Sequence, residues 1–314
     1  MQFQTLKITE ENANERLDTL LTKALNISRS SIKKMIDQGA VLVNKKVIHK
    51  PAMKLKIKDI VDFKPTLEKD QTLHAEDIYF ETIFEDKDIL VINKPASITV
   101  HPDGTGHPSG TIVNAVLSHL SFTGQGQAQT NLLRPGIVHR LDKDTSGVLL
   151  IAKNPAALAK FSKLFQDRKV KKTYIALVKG SPKTDTGRIE ASIKRNSSRR
   201  KEMAINPQGR TAITTFEVVK KFALPSPHGT ATLLKVNILT GRTHQIRLHL
   251  ASIGLPIIGD PTYGEQRINT FFHTNYGLTR QFLHAKTLEI DGRTFTAEEP
   301  EELKKVTCAI SAVN

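Results

Sequence analysis

The chain has 314 residues, 39% of them hydrophobic and 25% charged, a balance that excludes intrinsic disorder and suffices for one large domain or two unequal ones. Its net charge of +15 and pI of about 9.8 point to a polyanionic partner. A single cysteine, Cys308, excludes an internal disulfide and a cysteine-built zinc site.

No run approaches the roughly 18 apolar residues of a spanning helix. The opening MQFQTLKITEENANERL lacks a basic segment followed by an apolar one, so it does not read as a signal peptide. The expectation is a soluble, cytoplasmic protein without membrane association.

Near the N-terminus, Leu17, Leu20, Leu21 and Leu25 recur at helical spacing. Ser28 is placed to cap a second helix with Ile32, Met35 and Ile36 on its apolar side, stopped by Gly39. VLVNKKV then reads as strand, turn at Asn44, strand, and LKIKDIVDF alternates toward a final strand. Two short helices before a small sheet, with the phrases RLDTLL, SRSSIKKMIDQGAVLVN and KDIVDF, resemble the S4 RNA-binding domain. That module is placed at residues 1–63. Arg29, Lys33 and Lys34 on the second helix, with Lys45 and Lys46 in the turn, would follow a phosphate backbone without reading base sequence.

Residues 64–80 are polar with weak periodicity and read as a linker. From residue 81 to 314 strand follows strand, interrupted by helical patterns at TIVNAVLSHL and PAALAKFSKLFQD. The second carries Leu158, Phe161, Leu164 and Phe165 on one face. The class is therefore α+β: a small N-terminal α/β module, then a mainly antiparallel sheet with flanking helices. Residues 168–201 hold 12 Lys/Arg against Asp185 and Glu190, a local net of +10. That excess includes Arg199 and Arg200 and suits nucleic acid better than a merely solvated face.

IVHRLDKDTSGVLLIAK begins at Ile137. Ile137 and Val138 read as an entering strand and Val148 to Ala152 as a leaving one, with turn chemistry at Asp144, Thr145, Ser146 and Gly147. Asp142 then stands where a strand breaks into a loop, with Arg140 two residues back on the same face. From these residues alone, a salt-bridged hairpin turn and a carboxylate at a pocket rim are both open. KKTYIALVKG sets Tyr174 in an apolar strand beside the basic stretch. TGRTHQIRLHL holds Arg242, His244, Arg247 and His249 and returns to an apolar helix or strand. Arg247 is bracketed by Ile246 and Leu248; once buried it requires a carboxylate, and Asp142 is a candidate.

HRLDKDTSG, NKP at 93–95 with HP at 101–102, KKTYIALVKG, and GRTHQIRLHL…GDPTYG followed by LHA at 283–285 resemble the RluA/RluD-type RNA pseudouridine synthases, in that family's order. With the S4-like module, the likeness spans nearly the whole chain. It implies that Asp142 is the essential catalytic residue, that Tyr174 packs against the target uracil, and that Arg247 pairs with Asp142. Arg140 is implied to hold the RNA open once the base is flipped. Ser252, where relatives often have histidine, and the segment EQRINTFFHTNYGLTRQ depart from the pattern without touching these positions.

The implied reaction detaches uracil at N1 and rejoins it through C5, so nothing is added or lost and no cofactor or metal is expected. One carboxylate is required, as nucleophile or as base, together with a ring to retain the freed base and base flipping to reach it. His139, His244, His249 and His284 show no metal-ligand motif. A glycoside hydrolase built on Asp142 and Asp144 is disfavoured because Asp144 reads as a turn residue. Large-subunit ribosomal RNA is the expected partner of a monomeric enzyme; transfer RNA, or a non-catalytic RNA-binding or ribosome-assembly role, are the alternatives.

Overall fold

The computed structural model describes residues 3–25, 29–64, 73–102, 109–122, 136–199 and 201–311. Ser28 and Arg200 lie outside them. The chain divides into two compact units, residues 1–71 and 72–314.

The first unit runs β1 (Gln4–Lys7), α1 (Leu17–Leu25), α2 (Arg29–Asp37), β2 (Val41–Val43), β3 (Lys46–Val47) and β4 (Ile60–Phe63). The strands form one antiparallel sheet in the order β1-β4-β2-β3. Asn44 and Lys45 both take positive φ in the tight turn between β2 and β3, the conformation that a two-residue hairpin demands. Leu17, Leu21, Ile32, Ile36, Val41 and Val61 are fully buried together, each contributing roughly 1.5–3 kcal/mol. The apolar spacing on α1 and α2 thus became one small core.

The second unit comprises β5 (Glu81–Glu85), β6 (Ile89–Lys94), α3 (Ile112–Phe122), β7 (Ser146–Ala152), α4 (Pro155–Gln166), β8 (Val170–Lys179), β9 (Thr186–Glu190), β10 (Ile193–Arg195), β11 (Met203–Ile205), β12 (Ile213–Ala223), β13 (Thr230–Ile238), α5 (Gln245–Ser252), α6 (Gln266–Tyr276), β14 (Leu283–Ile290), β15 (Arg293–Thr296) and α7 (Glu301–Ser311). A nine-stranded sheet runs β5-β6-β7-β14-β8-β13-β12-β9, with β15 paired to β14. All its pairs are antiparallel except β7 with β14. β10 and β11 form a separate hairpin.

β6 and β7 read as unbroken apolar runs because both faces of the sheet are covered. Leu90, Ile92, Leu149 and Ile151 face one core, shared with α3 and with α5, α6 and α7. Ile89, Val91, Val148 and Leu150 face the other, closed by Ala157 and Phe161 of α4. The period-two alternation of a strand sorts them.

Several expectations need correction. Ile137 to Leu141 are not a strand. Only Ile137 bridges Ile151, and the next ladder position is taken by a side chain, His139 Nε2, which accepts the Leu150 N–H at 3.0 Å. Toward its start β7 is paired with β14, His284 opposite Ser146 and Ala285 opposite Gly147, so no edge is left there for a hairpin partner. The turn is Asp142–Thr145, closed by Thr145 N–H to Asp142 O at 3.1 Å; Ser146 and Gly147 already belong to β7. Gly147 has φ +118, and a β-carbon there would lie 2.2 Å from the Ala285 carbonyl oxygen.

Residues 73–80, read as linker, lie against the second unit. The His74 carbonyl accepts from Asn114 Nδ2 at 2.8 Å, and Phe80 packs on the core. The stretch after His244 is helical, as α5.

Candidate active site and RNA-facing residues

A cleft of about 500 Å³ opens in the second unit, with Asp142, Phe165, Tyr174, Arg242, His244 and Arg247 among its walls. Asp142 reaches it from the turn before β7, and that turn is held at several points. Lys94 at the end of β6 donates to the Lys143 carbonyl at 2.9 Å. Arg280 Nη1 donates to the Asp144 carbonyl at 2.9 Å while pairing with Glu302 on α7. Gln281 Nε2 reaches Thr145 Oγ1 at 3.3 Å.

Lys94 is fully buried. Its remaining donors go to the Pro95 and Ile98 carbonyls at 2.6 and 2.8 Å, so three acceptors match the three N–H groups of an ammonium. Burial pushes its pKa down to about 7, against the pull of Asp144 and Asp142.

Arg247 lies in the first turn of α5 and is buried. Its Nη1 stands 3.2 Å from Asp142 Oδ2. Its Nε and Nη2 engage Asp260 more closely, at 2.7 and 2.8 Å, in the two-point geometry that suits a guanidinium. Burial works against the Arg247 charge, but Asp260 and Asp142 outweigh it and raise the pKa above the ordinary arginine value. Burial likewise opposes ionised Asp260, yet Arg247 and the N–H groups of Tyr263 and Thr262 hold its carboxyl below the usual range. One cation therefore serves two carboxylates, one fixed at two points and one touched at a single point.

Tyr174, on β8 between Ala285 of β14 and Val236 of β13, is buried. Burial, then the Asp142 charge, raises its phenol pKa. His244 immediately precedes α5 with φ 55. Its Nε2 is 4.0 Å from Asp142 Oδ2 and its Nδ1 is 2.9 Å from the Tyr263 hydroxyl. Arg247 also lies over the Tyr263 ring, 5.3 Å from its centre, a cation–π distance.

The model of the RNA pseudouridylate synthase family matches residues 88–252, the span that holds Asp142, Tyr174 and Arg247. The chain belongs to that family. An S4 domain matches residues 15–61. An uncharacterized RNA pseudouridine synthase of Aquifex aeolicus (strain VF5) is 38% identical over 312 residues, 96% of each chain. The ribosomal large subunit pseudouridine synthase D of Escherichia coli O6:H1 (strain CFT073) is 36% identical over 293 residues, 91% of this chain and 86% of that one. Among solved structures, human RNA pseudouridylate synthase domain containing 1 aligns with a TM-score of 0.54 at 26% identity, over 72% of this chain and 85% of that one. Membership makes the protein an isomerase acting on RNA.

The structure brings Asp142, Tyr174 and Arg247 to one cleft. Arg140 also lines it and is exposed. In the first unit, Arg29, Lys33 and Lys34 stand on the outer side of α2 and Lys45 in the β2–β3 turn, all exposed. Arg199 is exposed and pairs with Glu202 at 3.2 Å. The basic stretch is less bare than its sequence implies, because folding delivers carboxylates from elsewhere. Glu289 meets Lys171 at 2.8 Å, and Glu265 meets Lys179.

Sequence reading did not single out Asp260, Tyr263, Lys94 or Arg280. A signal existed for Asp260: a buried guanidinium presents five donors, and Asp142 alone leaves most of them unserved. His249 and His284 are fully buried, each with both ring nitrogens near protein partners: Thr214 and Ala191 for one, Ser146 and Ala297 for the other.

Proposed function

We propose that this protein isomerises specific uridines of large-subunit ribosomal RNA to pseudouridine, with Asp142 as the reacting carboxylate. The observation that carries this is an aspartate held at a cleft by one contact to Arg247, whose other donors are committed to Asp260. Such a carboxylate stays oriented and keeps one oxygen available for chemistry. Tyr174 lies against the uracil and keeps it from leaving between detachment and reattachment. Arg140, exposed at the cleft mouth, holds the RNA open behind the flipped base. No cofactor or metal takes part.

The S4 domain, residues 1–63 in this reading, adds affinity through Arg29, Lys33, Lys34 and Lys45, with Arg199 and Arg200 serving the catalytic domain, which includes residues 73–80 as well as 81–314. The large-subunit target is supported by the relatives named ribosomal large subunit pseudouridine synthase D, which match over most of their length. The protein works as a monomer in the cytoplasm. Among the described residues no helix is long and apolar enough to cross a membrane.

The test is tritium release from transcribed ribosomal RNA labelled at uridine C5. Wild type releases tritium; Asp142→Asn binds the RNA and releases none. Normal release by that variant removes Asp142 from its role. Release from transfer RNA but not ribosomal RNA redirects the substrate, and no release from either leaves an RNA-binding factor.

A further inference from the structure

His244 holds φ 55, a left-handed conformation uncommon for a residue with a β-carbon and enriched at functional sites. Its side chain makes no capping bond to α5, which it precedes. The ring is instead fixed from the side away from Asp142. The Tyr263 hydroxyl lies 2.9 Å from Nδ1, and the two rings meet edge to face with centres 5.6 Å apart.

The hydrogen-bond distances favour one placement of the imidazole proton. The Tyr263 oxygen accepts the Met203 N–H at 2.8 Å, so it has its own proton left to give. The Met203 carbonyl is 3.4 Å away and His244 Nδ1 only 2.9 Å, so Nδ1 is the better acceptor. A neutral imidazole that accepts at Nδ1 carries its hydrogen on Nε2. That Nε2 faces Asp142 Oδ2 across 4.0 Å, beyond hydrogen-bond reach, in a ring that lines the cleft. An N–H donor thus lies beside the carboxylate with no acceptor among the described residues close enough to take it. Asp142 itself accepts only, and the nearest Arg247 nitrogen is engaged by Asp142.

We propose that His244 is a substrate-contacting residue whose Nε2–H donates to a carbonyl oxygen of the target uracil, and that Tyr263 is the positioning residue that keeps the proton on Nε2. The uracil carbonyls become better acceptors as the bond at N1 breaks, so the contact strengthens during the reaction. Tyr263 is anchored to Met203, the first residue of β11. The hairpin that carries Arg195 and Arg199 therefore helps set the imidazole. This inference rests on the reading of Asp142 as the reacting carboxylate.

The experiment compares His244→Leu with His244→Gln, whose side-chain amide can reach about where Nε2 stands, in single-turnover tritium release from C5-labelled ribosomal RNA. The Leu variant should slow on the order of 10²-fold, with RNA affinity changed by less than about threefold. The Gln variant should recover to within about tenfold of wild type. Both carry the same backbone strain, so that cost cancels. Wild-type rates in the Leu variant, or equal slowing in both, overturn the proposal.

Tautomers of ¹⁵N-labelled histidine supply a second readout on unmodified protein. The signal that disappears in His244→Gln should show hydrogen on Nε2 in wild type and lose that preference in Tyr263→Phe. Hydrogen on Nδ1 in wild type overturns the proposal whatever the activity of the variants. A Leu-to-Gln difference that persists while Asp142→Asn still releases tritium would reject Asp142 and retain His244, so the two readings fail separately.

Discussion

Lys94 reaches across from the end of β6 to the carbonyl of Lys143, one residue beyond Asp142, at 2.9 Å. The contact joins a buried ammonium to the turn that presents the carboxylate. Asp142 is therefore aimed by the backbone beneath it as much as by the Arg247 in front of it.

Lys94→Met keeps the length of the stem and removes all three donors. Three partly buried carbonyls lose their donor, so unfolding in denaturant should show a loss of about 2–4 kcal/mol. With Asp142 in its proposed role, tritium release should fall by roughly tenfold or more, since small displacements of a reacting group are expensive. Unchanged release at reduced stability would mean that Arg280 and Gln281 suffice to hold the turn.

Asp260 gives stability a definite pH dependence. Its folded pKa lies below the ordinary value because Arg247 and two backbone N–H groups outweigh the cost of burial. A depressed carboxyl pKa contributes stability that is fully present above the unfolded value, near 3.9, and is lost as pH falls through the folded one. Thermal melts from pH 7 down to pH 2.5 should place Asp260→Asn well below wild type at neutrality. The gap should narrow steadily below about pH 4. A constant gap would assign the loss to packing rather than charge.

Gly147 is the contact point of the parallel pair. Its φ of +118 and the 2.2 Å approach that a β-carbon would make to Ala285 O leave no room for a side chain. Gly147→Ala should cost about 3 kcal/mol or more, measured by thermal melting, by parting β7 from β14. A variant that melts like wild type would show that the two strands can separate at no cost.

Lys33→Glu combined with Lys34→Glu reverses charge on the outer side of α2 without touching its buried side. RNA affinity should drop at least tenfold, and binding should become less steep in salt because fewer counterions are released. Turnover at saturating RNA should stay near that of wild type. An unaltered salt slope would place the phosphate contacts elsewhere.

The parts of the fold legible in the sequence are those where local pattern and burial coincide. Leu17, Leu20 and Leu21 declare α1, and the runs ILVIN and VLLIA declare strands covered on both faces. The strand expected at Ile137–Leu141 failed because a side chain, His139 Nε2, takes the place of a backbone acceptor. Period and propensity carry no trace of such a substitution. Helices α6 and α7 carry the same kind of signal as α1, with Ile268 and Phe272 four apart and Leu303, Val306 and Ile310 at i, i+3 and i+7, although neither is among the helices expected from the sequence.

The site divides in the same way. Arg247 could be recognised as an arginine in need of a carboxylate because Ile246 and Leu248 flank it. That its chief partner would be Asp260 depends on how the GDPTYG turn folds back on α5, which no spacing rule encodes. Lys94 ends an apolar run and looks like a strand leaving the core. Its three carbonyl acceptors lie on two separate loops, and only the assembled sheet brings them together.

The position of β14 has a consequence for synthesis on the ribosome. In the sheet it lies between β7, which follows the Asp142 turn, and β8, which bears Tyr174, yet it comes long after both along the chain. Those strands gain their common neighbour only when β14 has been made and inserted. Arg280 and Gln281, which brace the turn, arrive just ahead of it. A nascent chain therefore has its S4 domain in hand well before the turn that carries Asp142 gains its neighbouring strand and its braces.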